Sequence, residues 1–268
     1  MATPNSLLPQ GYQYFWSKEI DSTNLEAFRK RDNGLTGDCW FCTKRQIGGR
    51  GSRGKQWVSS PGNLYGSLLT HSSCSSQQLP QISILTALAA YSAIEQFAGD
   101  DFRMGSLCLK WPNDILLEGH KICGILVESR PSGTLAGQFD VVMGIGINLA
   151  SHPESDAFKD HDANGLFAAG HLAQKGWECS VEQLFVALAQ STRDWRSILA
   201  NGAGFETVRL AWLERSCHIG QTIKITAGDR LYEGRFKTIN GEGALVLEDL
   251  SGASREISSG SIIEIKGL

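Results

Sequence analysis

The 268-residue sequence lacks a long uninterrupted apolar run, a strong charge of either sign, a basic leader, and any histidine or cysteine spacing suited to a metal. Each absence removes a class of function. The most apolar window, residues 82–98, is broken by Ser83, Thr86, Ser92, Glu95 and Gln96, so it reads as a buried helix of a soluble protein and no membrane partner is expected. A net charge of −3 offers no global attraction to nucleic acid, and any anion site must be local. The first ten residues have no basic segment followed by a sustained apolar one, which predicts no signal peptide and a cytoplasmic location. Seven cysteines, an odd number scattered through both halves, are expected as reduced thiols rather than as a disulfide framework. Cys39-Trp40-Phe41-Cys42 reads as an apolar strand, in which residues three apart face opposite sides, so the pair can form neither a redox couple nor a chelate. No metal ligands are expected.

What is present falls into alternating segments. Thr23 and Glu26 have the spacing of a capping box, predicting a helix that runs toward Arg31. Strands are predicted at 39–44 and 64–70, followed by a polar, serine-rich loop at 71–78. Residues 80–97 place Ile84, Leu85, Leu88, Ala89 and Phe97 at helical spacing. Three β-rich runs follow at 107–111, 121–128 and 139–149, separated by Pro112-Asn113 and Glu118-Gly119. Residues 150–170 show no period and predict a mobile loop. Ser180 with Gln183 caps a further helix whose apolar face is Leu184, Phe185, Leu188, Trp195 and Leu199. After Cys217 come five short strands, at 222–225, 230–237, 244–248, 255–258 and 262–265, in the rhythm of a small β-barrel. The expectation is an α+β body over residues 1–216 and a barrel over 217–268.

Three islands carry chemistry. Gly49-Arg50-Gly51-Ser52-Arg53-Gly54 is a flexible cradle in which backbone N–H groups and two guanidinium groups can converge on an anion, with Lys55 beside it. It matches neither a Walker loop nor a dinucleotide fingerprint, and a solvated basic loop would carry the same residues. Lys110-Trp111-Pro112-Asn113-Asp114 puts a cation at a strand end and predicts that Pro112 stops the strand, projecting Asn113 and Asp114 into a loop. Seven residues on, Lys121 opens Ile122-Cys123-Gly124-Ile125-Leu126-Val127-Glu128, and a hairpin would return it to the side of Lys110 and Asp114. Gly144-Ile145-Gly146-Ile147-Asn148 adds a strand with two bare positions on one face, as where a ligand lies flat on a sheet.

Together with Ser22-Thr23-Asn24 and the run from Gln46 to Trp57, these islands occur in the order found in biotin–protein ligases, which the chain resembles from about residue 14 onward. The resemblance implies a class II aminoacyl-tRNA synthetase-like catalytic domain with a mixed sheet and a C-terminal SH3-like β-barrel. It implies activation of biotin by ATP, with Mg2+ carried on the nucleotide, to biotinoyl-5′-AMP. Transfer to a lysine of the biotin carboxyl carrier protein of acetyl-CoA carboxylase would follow. By the same match Lys121, Arg50 and Asp114 are the catalytic candidates. Lys121 would stabilise charge at phosphorus, Arg50 would hold the biotin carboxylate, and Asp114 would orient or deprotonate the incoming amine. Arg53 and Lys110 are implied on the phosphate side, with Gly49, Gly51, Ser52 and Asn113 lining the site. Ser22, Thr23, Asn24 and Gln46 would face the biotin ring. Gly124 and Gly146 would keep the pocket floor open, while Trp57 and Asn148 would meet adenosine.

One departure stands out: the family pattern Gly-Arg-Gly-Arg-x-Gly has Ser52 at its fourth position here, which implies weaker retention of the adenylate. Ser22 stands too early for the winged helix that some relatives carry ahead of it, so DNA binding is not expected. A monomer or homodimer is expected. Two rival readings are a lipoate or octanoate ligase, and a non-catalytic biotin-sensing or carrier-binding module; Lys121, Arg50 and Asp114 argue against the second.

Overall fold

The computed structural model describes residues 7–72, 78–98, 106–132, 138–153, 167–201, 204–249 and 251–266. Most of the loop expected at 150–170, and most of the serine-rich stretch at 71–78, lies outside the described residues.

Seven strands build the body: β1 (Gln13–Ser17), β2 (Cys39–Thr43), β3 (Leu64–Ser72), β4 (Leu107–Lys110), β5 (Asp114–Leu117), β6 (His120–Pro131) and β7 (Phe139–Ile147). They form one mixed sheet in the order β1-β2-β3-β7-β6-β5-β4, in which only β1 and β2 run parallel. Among the described residues, α1 (Thr23–Asp32), α2 (Leu79–Glu95) and α3 (Val181–Ala200) pack on it, and α4 (Gly204–Glu214) packs against α2 and α3. Strand alternation sorts β2 between two cores. Trp40 and Cys42 join the large core with α2 and α3, while Cys39 and Phe41 join a small one with Ala27 of α1, Leu69 and Val142. The two thiols therefore face opposite sides, as their spacing predicts, and burial pushes both up in pKa, so they are inert.

Local signals set some boundaries and miss others. The Ser180–Gln183 capping box is formed and starts α3. The one expected at Thr23 is not: Ser22 is the N-cap of α1, without a side-chain cap bond. Thr23 instead places its hydroxyl 3.2 Å from Gln46 Oε1 and 2.6 Å from Ser67 Oγ, while Glu26 pairs with Arg29 and Lys30. Strands β1 and β5 and helix α4 are findings of the structure alone. Because β5 begins at Asp114, that residue is a buried strand residue rather than part of a projecting loop.

The remaining strands, β8 (Thr222–Ala227), β9 (Arg230–Ile239), β10 (Leu245–Glu248), β11 (Ser254–Ile257) and β12 (Ser261–Lys266), fall where the five short runs predict them. They pair antiparallel in the order β11-β10-β9-β8-β12. Their inward residues, among them Ile223, Ile225, Phe236 and Leu245, continue the large core of the body. The junction is specific: Trp111 Nε1 donates to the Gly243 carbonyl (3.3 Å) and Gln81 Nε2 to that of Gly241 (2.7 Å). Gly243 sits at φ +83° against Pro80 and Gln81, where a side chain would be both strained and crowded.

The all-thiol expectation is corrected here. Cys108 of β4 and Cys217 form a disulfide, with Cα atoms 5.3 Å apart, while Cys39, Cys42, Cys123 and Cys179 are free among the described residues. The cause is tertiary: Leu109 N–H donates to Arg215 O (2.7 Å) and Cys217 N–H to Leu109 O (3.0 Å), laying the two segments side by side. A separation of 109 residues hides that pairing from any local pattern.

Next to it, His218 packs near Phe167, with ring centroids 5.8 Å apart, and burial lowers its pKa to about 4. In the unfolded chain it binds a proton near pH 6.5, so folding favours the neutral ring. The associated stability is complete above pH 6.5 and is lost as pH falls toward 4, amounting to about 3 kcal/mol at most. Thermal melts of wild type and His218→Gln should therefore differ in their pH slope, wild type losing more stability than the variant between pH 7.5 and pH 4.5. Parallel curves would refute this assignment.

Candidate active site

The site is a row of residues crossing the sheet. Directly opposed residues on adjacent strands share a face, and the register gives Lys110↔Asp114, Asp114↔Gly124, Gly124↔Gly146 and Gly146↔Tyr65. One step along, Leu126, Gly144 and Ser67 form a second row. Both rows face α1, whose first turn brings Thr23 and Asn24 over the sheet.

Lys121 reaches this face through an irregularity. The β5–β6 ladder shifts register between Ile115 and Leu116, leaving Ile122 unopposed. Consecutive Ile122 and Cys123 both enter the large core, and Lys121 is turned toward Asp114. Its Nζ lies 2.6 Å from Asp114 Oδ1, and Lys110 Nζ lies 3.2 Å from Oδ2. Burial alone raises the Asp114 carboxyl. The charges and hydrogen bonds of Lys121 and Lys110 more than offset it and hold its pKa below the usual carboxylate value. Asp114 is thus an anion at neutral pH, flanked by two cations. The hairpin expected from the sequence brings all three together.

The glycine cradle closes the opposite side. Ser52–Gly54 is a single 3-10 turn, in which Arg53 takes a left-handed conformation (φ 59°, ψ 36°). Arg50 leaves the cradle toward β6 and pairs with Glu128 Oε2 at 2.5 Å. Gly49 does not itself line a cavity. A side chain there would strike the Trp57 carbonyl and crowd Gln46 and Ser59, so its bareness shapes the loop.

Two cavities adjoin. The smaller, about 50 Å3, is bounded by Ser22, Thr23, Asn24, Gln46, Arg50, Trp57 and Gly146. The larger, about 450 Å3, lies between Arg53, Lys55, Lys110, Asp114 and residues 258–261 of the second sheet. Ser52, Asn113, Lys121, Ile125 and Leu126 border both. The smaller is small because the Trp57 indole lies over Gly124 and Gly146: a β-carbon at either glycine would come within 2.6 Å of its ring. The open floor expected between these glycines is thus filled by Trp57, whose Nε1 is buried without a partner. Asn148 stands apart from both cavities, its side chain donating to the Gly170 carbonyl (3.0 Å). Among the described residues no group of three or more His, Cys, Asp or Glu side chains could hold a metal, and the charged groups at the larger cleft are mainly cations.

Reasoning from sequence missed Glu128 and Ser67. Glu128 holds both Arg50 and Asn24, the latter through Nδ2 at 2.8 Å. Ser67 donates to Asn24 Oδ1 (2.6 Å), and Gly144 leaves the space Asn24 occupies. The signal for Glu128 was available in its spacing: it stands four residues after Gly124, on the same side of the strand.

Two family models match the chain: the Biotin/lipoate A/B protein ligase family over residues 17–148, and the Biotin protein ligase C terminal domain over residues 218–263. A biotin–[acetyl-CoA-carboxylase] ligase of Paracoccus denitrificans is 36% identical over 232 residues, covering 87% of this chain and 92% of the relative. The bifunctional ligase/repressor BirA of Bacillus subtilis (strain 168) is 27% identical over 252 residues, covering 93% of this chain and 73% of the relative. In fold, the chain is similar to a biotin protein ligase from Aquifex aeolicus solved in complex with biotin and ATP, with a TM-score of 0.75 at 21% identity over 93% of this chain and 98% of that one. The class is that of the biotin and lipoate ligases. The match to the C-terminal domain and the Paracoccus relative narrow it: the chain belongs to the biotin–protein ligase family.

Proposed function

We propose that the protein is an ATP-dependent biotin–protein ligase. The biotin carboxylate attacks the α-phosphate of MgATP, giving biotinoyl-5′-AMP and pyrophosphate. A lysine amine of a biotin carboxyl carrier protein of acetyl-CoA carboxylase then attacks the mixed anhydride, forming the amide and releasing AMP. The carrying observation is Lys121: it stands where the two cavities meet, beside a doubly paired carboxylate, with Arg50 across the smaller one. Two anions repel unless cations meet them, so such a junction is what adenylation requires.

In this reading the smaller cavity takes the biotin ring once Trp57 swings off the glycine pair, and Arg50 takes the carboxylate. Lys121 stabilises the pentavalent phosphorus, while Lys110 and Arg53 hold phosphate oxygens. Magnesium travels on the nucleotide. Asp114, kept ionised by its lysines, serves better to orient the arriving ammonium and accept its hydrogen bond than as a strong base. Residues 1–216 would carry the chemistry, and 217–268 would close the larger cleft along 258–261. The match to the C-terminal domain supports biotin over lipoate. Incubating a carrier domain with biotin, MgATP and the protein should raise the carrier's mass by one biotinoyl group; an unchanged mass would end this proposal.

Ser52 borders both cavities, so an arginine there would face the adenylate from the cradle. Ser52→Arg should slow release of biotinoyl-AMP by about fivefold or more, through added charge-assisted hydrogen bonds. Equal release rates in a rapid-filtration assay would remove the idea that Ser52 makes the intermediate leak.

A further inference from the structure

We propose that Glu128 is a positioning residue for adenylation: it fixes the Arg50 guanidinium so that the remaining N–H donors meet the ligand carboxylate. This inference rests on the biotin reading above. Arg50 lies between Gly49 and Gly51, and a long side chain on so permissive a stretch has many conformations to lose on meeting an anion. Glu128 removes that freedom in advance. Its Oε2 accepts from Arg50 Nη2 at 2.5 Å and from Asn24 Nδ2 at 2.8 Å.

Asn24 is in turn fixed from both ends. Its Nδ2 also donates to the Leu126 carbonyl (3.2 Å), its Oδ1 accepts from Ser67 Oγ (2.6 Å), and Gly144 leaves no side chain to displace it. Ser67, Asn24 and Glu128 therefore form a braced chain running from β3 across β7 to β6 and ending on the guanidinium. Arginine has five N–H donors in a planar fork. Glu128 engages one nitrogen, so a second carboxylate can occupy the rest of the fork without displacing it. Glu128 does not touch biotin in this arrangement; it acts through Arg50.

Glu128→Gln keeps the shape and an oxygen for Asn24 while removing the charge that holds Arg50. Pyrophosphate release should show KM for biotin raised about tenfold, with kcat and KM for ATP within about twofold of wild type. Competition binding with biotinol, in which an alcohol replaces the carboxylate, should show the preference for biotin reduced by a similar factor. Adding Glu128→Gln to Arg50→Ala should cost nothing further, because the effect passes through Arg50.

Tighter biotin binding by Glu128→Gln would overturn the proposal and make Glu128 a competitor for Arg50. So would a loss shared equally by biotin, biotinol and ATP, or additive losses in the double variant; either would reduce Glu128 to a structural role. A wild-type protein that releases no pyrophosphate from biotin and ATP would instead sink the ligase reading, while the biotin-to-biotinol binding ratio would still test the Arg50–Glu128 pair.

Discussion

Replacing Lys121 by alanine should lower the rate of biotinoyl-adenylate formation by about 10^2–10^3-fold, the scale on which removal of one preorganised charge acts on a transition state. The fold should survive, because Lys121 is partly exposed (31% of its side chain) and Asp114 keeps Lys110 as a partner. Losing Lys121 also removes the strongest of the charges that lower the Asp114 carboxyl against its burial. Its pKa should therefore rise, and the acid limb of the transfer step, in which Asp114 is proposed to meet the amine, should move to higher pH. Single-turnover pyrophosphate release reads the first effect, and the rate of transfer from preformed biotinoyl-AMP to the carrier across pH 5–8 reads the second. A rate within threefold of wild type, with an unmoved acid limb, would mean that Lys121 is a bystander at the junction of the cavities.

Asp140→Ala should destabilise the protein by about 3–5 kcal/mol, as expected when one partner of a buried ion pair is removed. Arg31 and Asp140 are 5% and 2% exposed, with Nε 3.1 Å from Oδ1. His71 Nδ1 lies 2.8 Å from the same oxygen, and the other carboxylate oxygen is 3.9 Å from Arg130 Nε. Truncating Asp140 would strand the Arg31 guanidinium in the last turn of α1. The first turn of that helix carries Thr23 and Asn24, so a loosened α1 should weaken biotin binding as well as stability. Urea titration measures the loss. Arg31→Met with Asp140→Leu should recover most of it, since a buried pair exchanged for well-packed apolar groups is often neutral. A double variant as unstable as Asp140→Ala would show that packing, not charge, holds this corner.

The sequence disclosed the site's residue types more readily than its geometry. The cradle, the Lys110–Asp114 run and the bare positions at 144 and 146 are local patterns, and the structure places them on one face of the sheet. The approach of Lys121 to Asp114 also follows from a hairpin at Glu118-Gly119, which spacing suggests. What aims Lys121, however, is a one-residue irregularity against β5, and neither that strand nor its register has a local signal. Arg31 illustrates the same limit. An arginine in the last turn of a polar helix reads as solvated, and its burial rests on Asp140, 109 residues on, together with His71 and the Leu35 carbonyl. Trp57, which the resemblance implies at the adenosine, lies half-buried over Gly124 and Gly146, a packing that no local pattern announces.

The cross-sheet row has a consequence for how the chain folds. Because neighbouring strand positions alternate between faces, a slip of β5 by one residue against its partners would turn Asp114 away from Lys121 and into the apolar layer beneath α2. An unpaired carboxylate there is costly. The carboxylate proposed to serve transfer thereby also marks correct strand alignment, so a misregistered chain would be recognisable by its instability as well as by its silence as a catalyst.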